Sequence, residues 1–511
     1  MRPLQIRFVV ALLAAGCTGP LPAPLCAQQE TGADDFRIST MGGTGDFAFR
    51  ASSAAVAFNA TDNEYLVVWA GDSNTGTLVD DNYQIFGQRI AAATGNPVGG
   101  ELVLTESPFI PAFVPLFAPS VAWDGTHNQY LIVWSGLTGL CCEVDYELFA
   151  RRISAAGVPV AAASQISHMV GPPENPNEAH YDAFDSAVVY NPAADEFLVV
   201  WSGDDGRNGF LNDEFEIRGQ RIAAATGAQV GADDFRISDA GGTGNTVSNA
   251  YLPAVAYNSV DNQYLVTWGA EDLDAGTVDG EFEIYGQRLD GASAAELGAN
   301  DFRISTIGPS ANTDWFGITS AVAHDPVDDE YLVAFSATES AESSVVRAFD
   351  IFGQRLDAGG AEIGVDDFRI SDVGGIGDAI WNADSPDVAY SAALGRYLVS
   401  FRADDDLGGQ INGELEVFVQ AVDAATGLEV GPNDLRLSDM GPNGASAYQA
   451  ASPAIAADSA GGLLVVWHGD DDSGGLVDGE FETFGQLVSG GPLFADGFAS
   501  ADTSAWSLAL P

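Results

Sequence analysis

The chain has 511 residues, 46% of them hydrophobic, and 73 acidic against 19 basic side chains give it a formal charge of -54. All of the basic residues are arginine. Such a field repels nucleic acid and anionic lipid and favours cations or basic partners, which excludes nucleic-acid binding at the outset.

Residues 1–27 read as an export signal. Met1-Arg2 through Arg7 supply a basic start, Phe8 to Ala15 an apolar stretch, and Gly16-Cys17 and Leu25-Cys26-Ala27 the small-residue cleavage options. Cleavage after Ala27 predicts a secreted, extracellular protein. Ala14-Ala-Gly-Cys17 offers the alternative of a lipid anchor at Cys17 on the cell surface. No other apolar run is long enough for a transmembrane span. Residues 28–33 then read as a linker, and 34–490 as one repetitive domain.

The repeat shows at one aromatic position: Trp69, Trp134, Trp201, Trp268, Phe335, Phe401 and Trp467, at intervals of 65, 67, 67, 67, 66 and 66 residues. Near-constant spacing over seven copies is one structural unit written seven times. Pro253-Ala-Val-Ala-Tyr257, Tyr264-Leu-Val-Thr-Trp268, Glu283-Ile-Tyr-Gly-Gln-Arg288 and Asp301-Phe-Arg-Ile-Ser305 typify it. These are short runs rich in β-branched and aromatic residues, bounded by turn formers, which is the signature of strands. No comparable stretch has the i, i+3, i+4 spacing of an amphipathic helix. The fold class predicted is all-β: a seven-bladed β-propeller of four-stranded antiparallel blades, because radial repetition leaves only short, protected sheet edges. A solenoid would leave both end units uncapped.

The two ends of the repeat support closure. Asp35 to Ser39 precedes the first small-residue strand, Ala54 to Phe58, whereas the seventh unit stops after Phe481-Glu-Thr-Phe-Gly-Gln486. Residues 34–39 are therefore expected to become the outer strand of the blade built from 452–488. Small-residue strands such as Ala54-Ala-Val-Ala57 suit the crowded inner edge, and the Trp row suits the core between blades rather than sugar stacking. Ten arginines at repeat-equivalent places are expected to pair with strand carboxylates through their planar fork. They are Arg37, Arg236, Arg303, Arg369 and Arg436 in the Phe-Arg-Ile-Ser strand, and Arg89, Arg152, Arg221, Arg288 and Arg355 after Gly-Gln or its equivalent. The second-to-third and outer-to-inner connections are long and emerge at the same end, which makes that end the working face.

The second-to-third loops gather carboxylates. Calcium takes six to eight hard oxygens, and a Gly-turned loop that opens and closes with Asp can gather several. The candidate ligands are Asp72, Asp80, Asp204, Asp213, Asp272, Asp274, Asp279, Asp470, Asp472 and Asp478. The run from Asp272 to Asp279 comes nearest to an Asp-x-Asp-x-Asp-Gly loop, one residue short and without the third Asp. Solvated acidic turns are the alternative. Cys141 and Cys142 either close a vicinal disulfide or stay as free or intermolecular thiols. The histidines, His127, His168, His180, His324 and His468, show no metal-ligand spacing, and only His468, after the last core Trp, is placed to reach the working face. No Gly-x-Ser-x-Gly elbow, His-Glu-x-x-His or phosphate loop occurs. Carboxylates for glycoside chemistry abound, without a sequence signal for which two face each other.

After Gly491 the repeat ends, and Phe494-Ala-Asp-Gly-Phe498 with Asp502-Thr-Ser-Ala-Trp506 is similar to a short tail found at the ends of many secreted bacterial proteins. Ala499 and Ala501 depart from its usual Glu and Gly. The repeats, as in Tyr65-Leu-Val-Val-Trp69 and Ile85-Phe-Gly-Gln-Arg89, resemble those of bacterial secreted and surface β-propeller proteins. That resemblance implies architecture and location and transfers no catalytic residue. The expected function is a non-catalytic binding or interaction propeller, monomeric, with calcium as a stabilising ion and an extracellular protein or glycan as partner. A carbohydrate-active enzyme (glycoside hydrolase or lyase) with a carboxylate site at the axial mouth is the rival, and a purely structural extracellular role the third reading.

Overall fold

The computed structural model describes residues 28–74, 83–105, 118–138, 145–169, 181–206, 211–271, 277–278, 280–307, 317–338, 349–374, 380–405 and 409–489. The export signal with Cys17, the C-terminal tail, Cys141, Cys142, Asp80, Asp272, Asp274 and Asp279 lie outside them.

The strands form seven four-stranded antiparallel sheets, each in simple up-and-down order. Blade 4 is representative, with Ala250–Asn258 innermost, then Gln263–Ala270, Glu283–Asp290 and Glu296–Arg303. Blade 7 combines Ala450–Ala457, Gly462–Gly469 and Glu482–Ser489 with the N-terminal strand Gln29–Arg37. The ring closes as the repeat predicts, but the closing strand begins earlier: Gln29 pairs with Ser489, Thr31 with Leu487, Phe36 with Gly485 and Arg37 with Phe484. Residues 29–33 are thus strand rather than linker. The reason is a bulge between Thr31 and Phe36, where Gly32 (φ 90°) and Asp35 (φ 42°) leave the ladder. Gln486 spans it, accepting the Asp35 N–H at 3.1 Å and donating to the Thr31 carbonyl at 3.2 Å.

The same left-handed Asp recurs in the outer strands of blades 3 to 6 as Asp234, Asp301, Asp367 and Asp434. Its carboxylate reaches the preceding blade: Asp372 N–H donates to Asp434 at 2.7 Å, and Asp439 N–H to Asp35 at 2.8 Å. Blade 2 lacks this device, and its outer strand shrinks to Ser164–Gln165.

Seven hydrophobic clusters are found among the described residues, each shared by two adjacent blades. The one joining blades 7 and 1 contains Ile38, Met41, Trp69, Leu464 and Val466. The Trp row is core: Trp69, Trp201, Trp268, Trp467, Phe335 and Phe401 are at most 1% exposed. Trp69 stacks on Phe86 at 6.3 Å and Phe401 on Phe418 at 5.8 Å, each within one blade. Burial of such rings dominates the stability of the interfaces, and truncating one to Ala costs about 3–5 kcal/mol.

Among the described residues, eight of the ten arginines pair with carboxylates as expected, and two do not. Arg37, Arg236, Arg303, Arg369 and Arg436 meet Glu482, Glu216, Glu283, Asp350 and Glu416 at the start of the third strand. The Ser of the same Phe-Arg-Ile-Ser run donates to that carboxylate too. Arg89, Arg221 and Arg355 meet Glu64, Glu196 and Glu330. Where the second strand begins with Gln instead, Arg152 and Arg288 bond Gln129 and Gln263 together with turn carbonyls of the next blade, Ala224 and Ala358.

Candidate functional site at the axial mouth

Buried aspartates shape the working face. Asp72, at the end of its second strand, accepts the Arg50 N–H at 2.7 Å. Asp204 accepts those of Asp182 at 2.6 Å and Asp213 at 3.0 Å, and Asp404 those of Asn382 and Gly413, both at 2.7 Å. Asp470 accepts those of Gln449 and Gly479, both at 2.9 Å. Each carboxylate ties its blade's inner-strand entry, and where described its own loop, into one frame. Asp213, Asp472 and Asp478 are exposed on the loops. Ligand atoms of three groups come within 4.8 Å of one another, among the described residues, only at Asp124, His127 and Asp195 and at His168, Asp233 and Asp234. None of the six described calcium candidates takes part. Asp124 already accepts the Thr126 N–H at 2.8 Å, the His127 N–H at 3.1 Å and Gln129 Nε2 at 2.9 Å, as the cap of its turn.

Inside this frame each inner strand starts at the working face. In blades 1, 3, 4, 6 and 7 the ladder slips at its third residue, which takes a left-handed conformation: Ser53, Asp185, Leu252, Ser385 and Ser452, with φ of 49–56°. Bulges of this kind re-aim single residues, and left-handed Leu, Ser and Asp hold strain of about 1–3 kcal/mol each that the surrounding sheet must sustain. Five strained residues therefore circle the axial mouth.

Charge enters where the other blades carry small or apolar residues. After the core aromatic of the second strand come Ala70, Ser135, Ser202, Gly269 and Ser336, but Arg402 in blade 6 and His468 in blade 7. Arg402 donates through Nε and Nη2 to both oxygens of Asp384, at 2.8 and 2.6 Å, and Ser385 Oγ donates to Asp384 at 2.9 Å. His468 Nδ1 accepts the Ser53 N–H at 3.3 Å, which leaves its proton on Nε2. Burial, and then the Arg402 charge, push its pKa down to about 4, so the imidazole is a neutral donor. Deeper on the axis, Asp387 accepts the N–H groups of Val388 and of Ile455 in blade 7, both at 2.9 Å, and burial raises it to about 6.

Blade 3, three blades from blade 6 and so across the axis, presents Asp185. Burial raises this carboxyl to about 6 as well, and no hydrogen bond from a described residue reaches it. Beside it Phe184, Phe215 and Tyr251 form a row, with ring centroids 5.1 and 5.4 Å apart and planes tilted by 39°. Burial, then Asp213, Glu271 and Asp204 in turn, raise the pKa of the Tyr251 phenol. A cavity of about 340 Å³ opens here, lined by Asp185, Tyr251, Leu252, Gly269, Phe282 and Ile318. Gly269 is required, since a Cβ on it would lie 2.3 Å from the Ile318 carbonyl oxygen. A larger hollow, about 430 Å³, lies between the outer strands of blades 5 and 6, over Val365, Phe368 and Leu428. Its arginines, Arg355 and Arg369, are already paired with Glu330 and Asp350 in the repeat's own pattern. Size does not make it the better site, for the chemistry that departs from the repeat lies at the axis.

The mouth thus combines a carboxyl that burial raises to about 6, an Asp–Arg pair across from it, an N–H donor, hydroxyls and aromatic faces. Sequence reasoning had singled out His468 alone. Asp387 and Arg402 were legible as departures from the repeat, Asp387 where other blades carry Ala or Ser and Arg402 where they carry Ala, Ser, Gly or His468. Asp185 stands where others carry Ser, Ala, Leu or Thr, and Asp384 where they carry Ser, Ala, Ile or an aromatic such as Phe184 and Tyr251.

No protein-family model matches the chain, and no curated protein matches it. Among solved structures, an ulvan lyase of a new polysaccharide lyase family superposes with a TM-score of 0.52 at 10% identity, over 89% of this chain and 95% of that one. An α-L-arabinofuranosidase from Fusarium graminearum, in complex with an iminosugar inhibitor, gives 0.43 at 12% identity, over 73% of this chain and 92% of its own. At such identities the likeness to the lyase is one of fold.

Proposed function

We propose that this protein is a carbohydrate-active propeller that takes a glycan into the axial mouth and cleaves it there. The observation that carries the reading is the gathering of Asp185, Asp384, Arg402 and His468 at the mouth, against an aromatic row, in a scaffold whose other charged repeats serve the fold. Aromatic faces suit the C–H faces of sugar rings, and planar polar groups suit their hydroxyls. Glycoside cleavage needs one carboxyl that donates a proton and one that stays charged opposite it. Asp185, raised to about 6 by burial, fits the donor, and Asp384, held by both fork nitrogens of Arg402, fits its charged counterpart. The fold is one that a polysaccharide lyase also uses. Export, read from residues 1–27, would place the protein where extracellular polysaccharides are.

The test is release of reducing ends or unsaturated products from a panel of polysaccharides. Wild type should release them, and Asp185→Asn should lower the rate at least a hundredfold, the scale of general acid catalysis, while leaving oligosaccharide binding in place. Turnover that survives Asp185→Asn would remove the donor assignment. Binding without turnover is the second reading, favoured by the uniformity of the blades. Retained glycan affinity with no product from any polymer would select it.

A further inference from the structure

We infer that the sugar taken at the mouth carries a protonated amine, which is read by the aromatic row together with Asp213. This rests on the glycan reading above and names the substrate class within it. Phe215 is the centre of the row, with Phe184 and Tyr251 on its two sides at 5.1 and 5.4 Å. Asp213 precedes Phe215 by two residues, is exposed, and acts electrostatically on the Tyr251 phenol together with Glu271 and Asp204. Its Oδ2 accepts one hydrogen bond, from Asn212 Nδ2 at 3.1 Å, and no cation pairs with it among the described residues.

Ring faces attract cations through their quadrupole, and a neighbouring carboxylate adds a direct charge partner. An N-acetylated or plain hydroxyl sugar gains neither. The long-range field points the same way: the chain's charge is -54, and the Arg402 guanidinium at the mouth is already bound to Asp384. A polyanionic glycan would meet like charge on every side, whereas an amine-bearing one is drawn in.

The experiment is calorimetric titration of the mature protein at pH 6 and physiological ionic strength with three oligosaccharides of equal length: a free-amine glucosamine oligomer, its N-acetylated counterpart and a glucose oligomer. The amine form should bind roughly tenfold or more tightly than the other two. Phe215→Ala and Asp213→Asn should each bring that preference to within about threefold. Asp261→Asn, which removes an exposed charge from a turn on the opposite face, should leave it unchanged. Equal or tighter binding of an uncharged oligomer at the mouth would overturn the amine inference and leave the glycan reading standing. A preference that falls equally in Asp261→Asn would reduce it to bulk charge attraction and overturn it as well. Failure of the free-amine oligomer to bind would overturn the amine inference, while the glycan reading would stand or fall by the polysaccharide panel.

Discussion

Removing residues 29–41 should open the ring. The deletion strips blade 7 of its outer strand and takes Phe36, Ile38 and Met41 out of the core between blades 7 and 1, where Ile38 is 8% exposed and Met41 is fully buried. Three such side chains contribute about 6 kcal/mol together. Glu482, whose side chain is fully buried, loses the Arg37 guanidinium, the Ser39 hydroxyl and the Met41 N–H. An uncompensated buried carboxylate costs about 3–5 kcal/mol, moderated here by protonation because burial already raises its pKa. The loss, roughly 8–10 kcal/mol, is comparable with the whole stability of an ordinary domain. Thermal and urea melts of the chain from residue 28 and of one from residue 42 would measure it, with the shorter chain expected to melt far lower or not to fold. A synthetic peptide of residues 28–41 added in trans should restore much of the transition, since the edge it leaves is a template for pairing. Coincident melts of the two chains would refute the closure energetics.

Asp35 should make stability fall with pH. Burial raises its pKa from 3.8 to about 8, so between those values the folded state keeps a proton that the unfolded state has released, and each rise in pH favours unfolding, by up to about 1.4 kcal/mol per unit for one group. Asp35→Asn keeps the acceptor for Asp439 N–H and cannot ionise, so its stability should gain on wild type from pH 5 to pH 9, and a constant gap would count against the buried proton. Asp404→Ala should cost about 2–4 kcal/mol in urea melts, because the N–H groups of Asn382 and Gly413 lose their acceptor; a loss under 0.5 kcal/mol would mean that the loops hold without it. For the calcium expectation we propose that millimolar calcium raises Tm more than magnesium at equal ionic strength, and that Asp272→Ala with Asp274→Ala removes the difference. An equal response to both ions would leave the loops as solvated turns.

The propeller was readable because a repeat multiplies every local signal seven times. The period of the core aromatic gave the blade count, the spare Asp35 to Ser39 segment gave the closure, and the recurrence of the arginines marked them as structural. Gln29 to Thr31 escaped notice because pairing resumes across a bulge that a strand pattern does not show. The first aspartates of the acidic loops read as ion ligands, and in the structure Asp72, Asp204 and Asp470 accept backbone N–H groups. Asp and Gly serve tight loops and calcium sites alike, so composition alone does not separate them. The axial site was hidden for the opposite reason. Asp185 in blade 3 and the Asp384–Arg402 pair in blade 6 come to the same mouth only because the blades close into a ring, and a reading that seeks what recurs passes over the positions that differ.

The most direct measurement is a crystal structure of Asp185→Asn soaked with the oligosaccharide that binds best. Sugar density is expected at the axial mouth, with a ring against Phe215 and Tyr251 and a glycosidic oxygen within hydrogen-bond reach of residue 185. Density confined to the hollow over Val365, Phe368 and Leu428, or to the opposite face, would contradict the assignment of the mouth as the working site.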